Sequence, residues 1–246
     1  SNNQTQVSGC WPENIDGDLC TFDARAHVTE APGGNAQTLS LNYITDVVKH
    51  PGIPDRDLYV FDTATDQLVE VVDTLGTLLY GLAVDSTGMV YVTQADALND
   101  ANGRAGTQNH GLAELENRTY LNRITRVDCG GGCAVPSFIE LEPLPPQHPA
   151  AGDALATPFA VQISGDDKTL VVTAASSNKH FTVDTATGTT IGSAVVEDMP
   201  RGIALESAAD GTPTQAWVLN ALANTVSLVG LADPASPSVE ATIVLV

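Results

Sequence analysis

Positive charge is scarce in this sequence: ten Lys and Arg stand against thirty Asp and Glu, a formal net charge of −20 over 246 residues. A surface of that sign repels phosphate backbones and anionic headgroups, which argues against nucleic acid as a partner and against an anionic membrane surface. Long apolar runs are missing too. None approaches the roughly 18 residues a spanning helix requires, so no direct membrane insertion is expected. Helical periodicity is nearly absent, with only His110 to Asn117 offering a short helix. That excludes a parallel α/β sheet, whose strands need crossover helices. There is no G-x-S-x-G elbow and no glycine loop ending in Lys-Ser or Lys-Thr, so hydrolase and phosphate-loop signatures are both lacking. What remains is 43% hydrophobic and only 16% charged residues, a composition that builds a core rather than a disordered acidic tail.

The four cysteines fall into two close pairs, Cys10/Cys20 and Cys129/Cys133, the second bracketing three glycines. Neither pair has the C-x2-C spacing of a zinc site, and no His lies at finger spacing. Both pairs are expected as disulfides, Cys10–Cys20 and Cys129–Cys133, which implies an oxidising compartment. The chain begins at Ser1 without Met and stops within the alternating apolar run Val239 to Val246, the pattern of a piece of a longer polypeptide.

Internal repeats decide the architecture. The segment Tyr80 to Gln94 returns as Phe159 to Ala174 and as Arg201 to Asn220, with a weaker copy at Arg25 to Asp46. Each copy reads strand, polar turn, strand. The second strand ends in a tetrad: Tyr43-Ile44-Thr45-Asp46, Tyr91-Val92-Thr93-Gln94, Val171-Val172-Thr173-Ala174 and Trp217-Val218-Leu219-Asn220. A second hairpin follows each tetrad: Leu58 to Thr74, Ile124 to Glu142, His180 to Glu197 and Thr225 to Leu245. Asp62, Asp128 and Asp184 share one turn position there, with Gly230 in the fourth copy, and an Asp at that point forms an Asx-turn. Val, Ile, Tyr and Thr dominate the strands, and turn residues separate them. The expected fold is therefore all-β: a β-propeller of four-stranded antiparallel blades, about four in this chain. The blades are placed at about 23–74, 75–142, 143–197 and 198–246, after an N-terminal extension over 1–22 that carries the Cys10/Cys20 pair.

The tetrads and the turns at Asp62 and Asp184 resemble the YVTN-type β-propeller repeat family of extracytoplasmic bacterial and archaeal proteins. The resemblance runs from about Arg25 to Val246. It departs at the third tetrad, which has lost its aromatic, at the fourth, which has Leu219 for Thr, and in the divergent first blade. It implies a larger ring of seven or eight blades, an extracytoplasmic location (periplasmic, cell-surface or secreted), and a surface, scaffold, binding or redox-associated role.

The intervals from Asp62 to Asp128, to Asp184 and to Gly230 are 66, 56 and 46 residues. The surplus marks two insertions, Ala95 to Leu121 and Pro143 to Thr157, and insertions on a rigid scaffold are where function concentrates. In a propeller both connections lie on one face. His50, His110, His148 and His180 are placed on or near that face, and imidazole is a common transition-metal ligand, copper included. Asn14, Asp16 and Asp18 alternate around a glycine like the start of a calcium loop, and Asp96 and Asp100 form a second acidic cluster. Arg201, Tyr80 and Phe159 occupy one position before or at the first strand of their blades, set to reach the channel or to pack between blades. Trp217 is expected in the core.

Three readings follow. The first is a non-catalytic binding or scaffold module of a larger secreted or surface protein, its ring completed by the remainder of its own polypeptide or by a second chain. The second is a metal- or redox-associated propeller, with copper, calcium or a haem partner at the loop-crowned face. The third is a lactonase- or lyase-like propeller enzyme.

Overall fold

The computed structural model describes residues 15–16, 19–20, 56–73, 75–97, 120–145 and 147–246. The chain divides into two compact units: Ser1–Arg56 with Ala97–Tyr120 and Pro145–His148, and Asp57–Asp96 with Leu121–Leu144 and Pro149–Val246. In the first, the short strands β1 (Ile15–Asp16) and β2 (Leu19–Cys20) pair antiparallel. The copy at Arg25 to Asp46, the Cys10–Cys20 pairing and the helix at His110 to Asn117 lie outside the described residues.

The second unit holds a hairpin of β3 (Leu58–Asp62) and β4 (Gln67–Val72), and then three four-stranded sheets. The first of these is β5 (Leu78–Val84), β6 (Met89–Ala97), β7 (Tyr120–Asp128) and β8 (Ser137–Glu140). The next is β9 (Pro158–Ile163), β10 (Thr169–Ala174), β11 (Lys179–Asp184) and β12 (Thr189–Val195). The last is β13 (Pro200–Ser207), β14 (Pro213–Asn220), β15 (Thr225–Gly230) and β16 (Ser238–Val244). In each sheet the strands are hydrogen-bonded in sequence order, the meander of a propeller blade. They are called here the second, third and fourth blades, and β3–β4 is the outer hairpin of the first. Strand structure reaches into the Ala95 to Leu121 insertion from both ends, through Ala97 and from Tyr120.

The turns close as Asx-turns. The Asp62 carboxylate accepts the N–H groups of Ala64 and Thr65 and the Thr65 hydroxyl, and Asp128 accepts the N–H of Gly130. The Thr187 N–H, then its hydroxyl, hold the Asp184 carboxyl below its ordinary pKa. These bonds favour the ionised form.

Blades pack face to face. Leu58, Val72 and Leu75 meet Val90, Val92 and Val127 between the first and second blades. Ile124 and Ile139 meet Leu170, Val172, Phe181 and Val183 between the second and third. Val171 and Val196 meet Ala216, Val218, Val229 and Leu231 between the third and fourth. All six residues of β10 are buried because both of its faces are covered, whereas all of β16 is exposed. Trp217 departs from its expected core placement. It is half-buried, on the blade face turned away from Ala216 and Val218, and its indole N–H donates to Glu206 at 2.8 Å.

Two polar devices repeat across the seams. The tetrad Thr93 accepts the N–H of Gly81 in its own blade (2.9 Å) and donates to the Phe159 carbonyl of the next (2.8 Å). Thr173 likewise accepts the N–H of Ala160 (3.0 Å). An asparagine six residues ahead of the turn position supplies the second. Asn122 Oδ1 accepts the N–H of Thr157, and Asn178 Oδ1 that of Met199, both at 3.0 Å. Thr157 and Met199 are left-handed, at φ 56° and 58°, a conformation costly for a β-branched residue and kept only where surroundings enforce it.

Thr93→Val keeps the shape and strands the Gly81 N–H and Phe159 carbonyl, so urea unfolding should show a loss of about 1–3 kcal/mol. Phe181→Ala, at a fully buried site, should cost about 3–5 kcal/mol in the same measurement.

Candidate functional site

The first strands of the three complete blades run side by side, with β9 between β5 and β13. Gly81 permits the approach: a Cβ there would stand 2.5 Å from the Phe159 carbonyl oxygen. At the equivalent position of each strand stands one large side chain, and the three form a row. The Tyr80 and Phe159 rings stack with centroids 5.0 Å apart and planes at 29°. The Arg201 guanidinium lies 5.0 Å from the Phe159 ring centroid. Tyr80 is 37% exposed, Phe159 half-buried and Arg201 exposed. Stacked rings ending in a guanidinium suit a flat or apolar ligand face with an anionic group at one end. Arg201 is also one of only ten Lys and Arg in an acidic chain.

The other candidate residues fall apart from this row. His50 and His110 lie outside the described residues, as do Asn14, Asp18 and Asp100; Asp16 is described only as backbone of β1. His148 is exposed and belongs to the first unit. His180 is not presented at the loop-bearing face. It lies within β11, opposite Thr173 and Ala194, and is fully buried. Asp96 is likewise strand-borne rather than a loop ligand. Its Oδ1 accepts the Thr77 hydroxyl (3.0 Å) and its Oδ2 pairs with Arg123 (3.0 Å). Arg123 also binds Glu140 at 2.7 Å and covers the Phe138 ring at 4.5 Å. Among the described residues no three His, Cys, Asp or Glu come together as a metal set.

Cys129 and Cys133 are joined as a disulfide at the β7–β8 turn. The Cys133 N–H donates to Glu70 of β4 at 2.9 Å, tying that turn to the hairpin of the first blade. The asparagines Asn122 and Asn178 escaped the sequence reading. Their signal was available in their constant offset from Asp128 and Asp184.

No protein-family model matches the chain. No curated protein matches it either. Among solved structures it is similar to the hydrazine synthase of Kuenenia stuttgartiensis, at 14% identity and a TM-score of 0.53 over 70% of this chain and 51% of that one. It is similar also to the periplasmic gluconolactonase of Pseudomonas aeruginosa, at 14% identity and a TM-score of 0.50 over 76% of this chain and 48% of that one. Both are β-propeller folds, and the chain is a β-propeller segment. It spans about half the length of each of these structures.

Phe159→Ala removes the centre of the row and both of its ring contacts. Chemical denaturation should show it less stable by about 1–3 kcal/mol, with Arg201→Ala costing about 0.5–1 kcal/mol by itself.

Proposed function

We propose that the chain is an extracytoplasmic β-propeller module, a binding or scaffold domain of a larger secreted or surface protein, whose ring is completed by the remainder of its own polypeptide or by a second chain. The Cys129–Cys133 disulfide supports the location, since such bonds persist in oxidising compartments. The free face of the fourth blade carries the rest of the reading.

Strand pairing puts two apolar rows on that face. One is Ala204, Trp217, Leu228 and Ala241; the other is Leu219, Val226 and Ile243, headed by Gly202. Leu219 is 41% and Ile243 44% exposed. The repeat equates Trp217, Leu219 and Val226 with Tyr91, Thr93 and Ile124 of the second blade, which are buried against the third. A contiguous apolar face of this kind marks an association surface. Its natural cover is another sheet of the same architecture, because blade faces elsewhere in the chain are matched in that way. The Tyr80–Phe159–Arg201 row is the surface such a module would present to a ligand.

Sedimentation equilibrium tests the assembly. The chain by itself should associate at micromolar concentration, and the double substitution Val226→Lys with Leu228→Lys should return it to monomer with its circular dichroism unchanged. A wild-type monomer that binds no hydrophobic dye would overturn the reading.

A further inference from the structure

The repeat allows one layer of each seam to be compared. Between the first and second blades it consists of Leu58, Gln94 and Thr125. Between the second and third it is Ile124, Ala174 and Phe181. Between the third and fourth it is His180, Asn220 and Ser227. The middle seam is apolar, its three residues clustered in one core. In the first seam the Leu75 carbonyl accepts from Gln94 Nε2 at 2.7 Å and from the Thr125 hydroxyl at 2.9 Å. The Gln94 Oε1 lies against Gly76 and has no protein partner, one open acceptor in that layer.

The seam between the third and fourth blades leaves three polar atoms open rather than one. Thr182 donates to the Pro234 carbonyl of the fourth blade at 2.6 Å, so that face of β11 is turned to the fourth blade, and His180 lies on it two residues away. Asn220 shares its face of β14 with Ala216 and Val218, which pack on Val171 and Val196 of the third blade. Both His180 and Asn220 are fully buried. Asn220 Nδ2 donates to the Thr225 and Ser227 hydroxyls at 3.0 and 2.9 Å. Asn220 Oδ1 and both ring nitrogens of His180 have no protein partner. Ser227 occupies the place that Phe181 fills with a ring one seam earlier, so the side chains of this layer are smaller as well as more polar. Buried polar atoms without a protein partner are commonly satisfied by water.

We propose that this seam is an acid-sensitive joint: a buried water bridges the neutral His180 imidazole to the Asn220 carbonyl, and proton uptake by His180 releases the fourth blade from the third. Asp198, in the connection to the fourth blade, accepts from Asn178 at 2.7 Å, and the residues on the strand faces that meet in this seam carry no charge. They are Val171 and Thr173 from β10, Ala194 from β12, Ile203 and Leu205 from β13, Ala216, Val218 and Asn220 from β14, and Thr225, Ser227 and Val229 from β15. Charged side chains on these strands are engaged elsewhere: Lys179 with the Gly152 carbonyl, Asp184 with Thr187, Arg201 with the Phe159 ring and Glu206 with Trp217.

Burial by itself pushes the imidazole from 6.5 down to about 4. The sign follows from linkage. Above 6.5 neither the docked nor the released imidazole is charged, and the joint is at full strength. As pH falls from 6.5 towards 4 only the released form takes a proton, so docking weakens by about tenfold per pH unit.

Hydrogen exchange of the whole chain at pH 7.5 and pH 5.0, corrected for intrinsic rates, reads the joint directly. Peptides covering β11, β14 and β15 should lose about tenfold or more of their protection at the lower pH, and His180→Gln or His180→Leu should abolish that dependence. Either variant suffices if the other fails to fold. Equal acid loss in a folded variant overturns the joint. Ring-proton NMR of the wild type checks both parts: a long-lived water cross-peak at His180 and no titration above pH 5 support them, whereas a dry ring or a pKa near 6.5 overturns the proposal.

Discussion

Every complete blade here is a four-stranded sheet with two apolar faces, and that fact constrains the rest. A sheet with one wet face can alternate apolar and polar residues, but a blade between blades must be apolar or hydrogen-bonded on both sides. The third blade meets the condition most fully: Leu170, Val172, Phe181 and Val183 serve one neighbour while Val171 and Val196 serve the other. From it follow the regular apolar seams, the glycine that lets β5 approach β9, and the polar side chains confined to places where a partner carbonyl or amide meets them.

Those polar exceptions define the geometry more closely than the apolar layers do. Hydrophobic layers tolerate sliding; a hydroxyl shared between Gly81 and Phe159 does not. Nor does an asparagine that must meet the single N–H of a left-handed Thr157. The turns between the first and second strands of each blade add a further set, with Ser86 donating to Asp167 and the Asp166 N–H bonding the Gly211 carbonyl. With the inner strands pinned in this way, Tyr80, Phe159 and Arg201 fall into one row without further contacts to arrange them.

Much of this was legible in the sequence. Tetrads at Tyr91 and Val171 marked the second strands, and the recurrent Asp marked a turn whose hydrogen bonds are now visible. The equivalence of Tyr80, Phe159 and Arg201 was read from register, although their stacking needed the separation of adjacent strands. The hairpin start at His180 was legible, but its burial depends on the fourth blade covering that face of β11. A tryptophan on a second strand reads as core, whereas its face depends on strand parity and on what lies beyond the sheet. Asp96 resembled a loop ligand because its partner Arg123 is distant in sequence. Contacts across seams are long-range, and a single sequence carries them only through the repeat.

The asparagine latches have a direction. In each, the accepting amide sits at the head of a third strand, and the donor lies downstream, in the segment that opens the next blade: Asn122 to Thr157, Asn178 to Met199. Across the seam, Thr93 and Ser86 likewise bond residues of the blade that follows. A blade emerging from the ribosome therefore meets its template already made by the blade before it. Folding from the amino terminus would then add one sheet at a time onto a surface already formed, as in a crystal extended at a step.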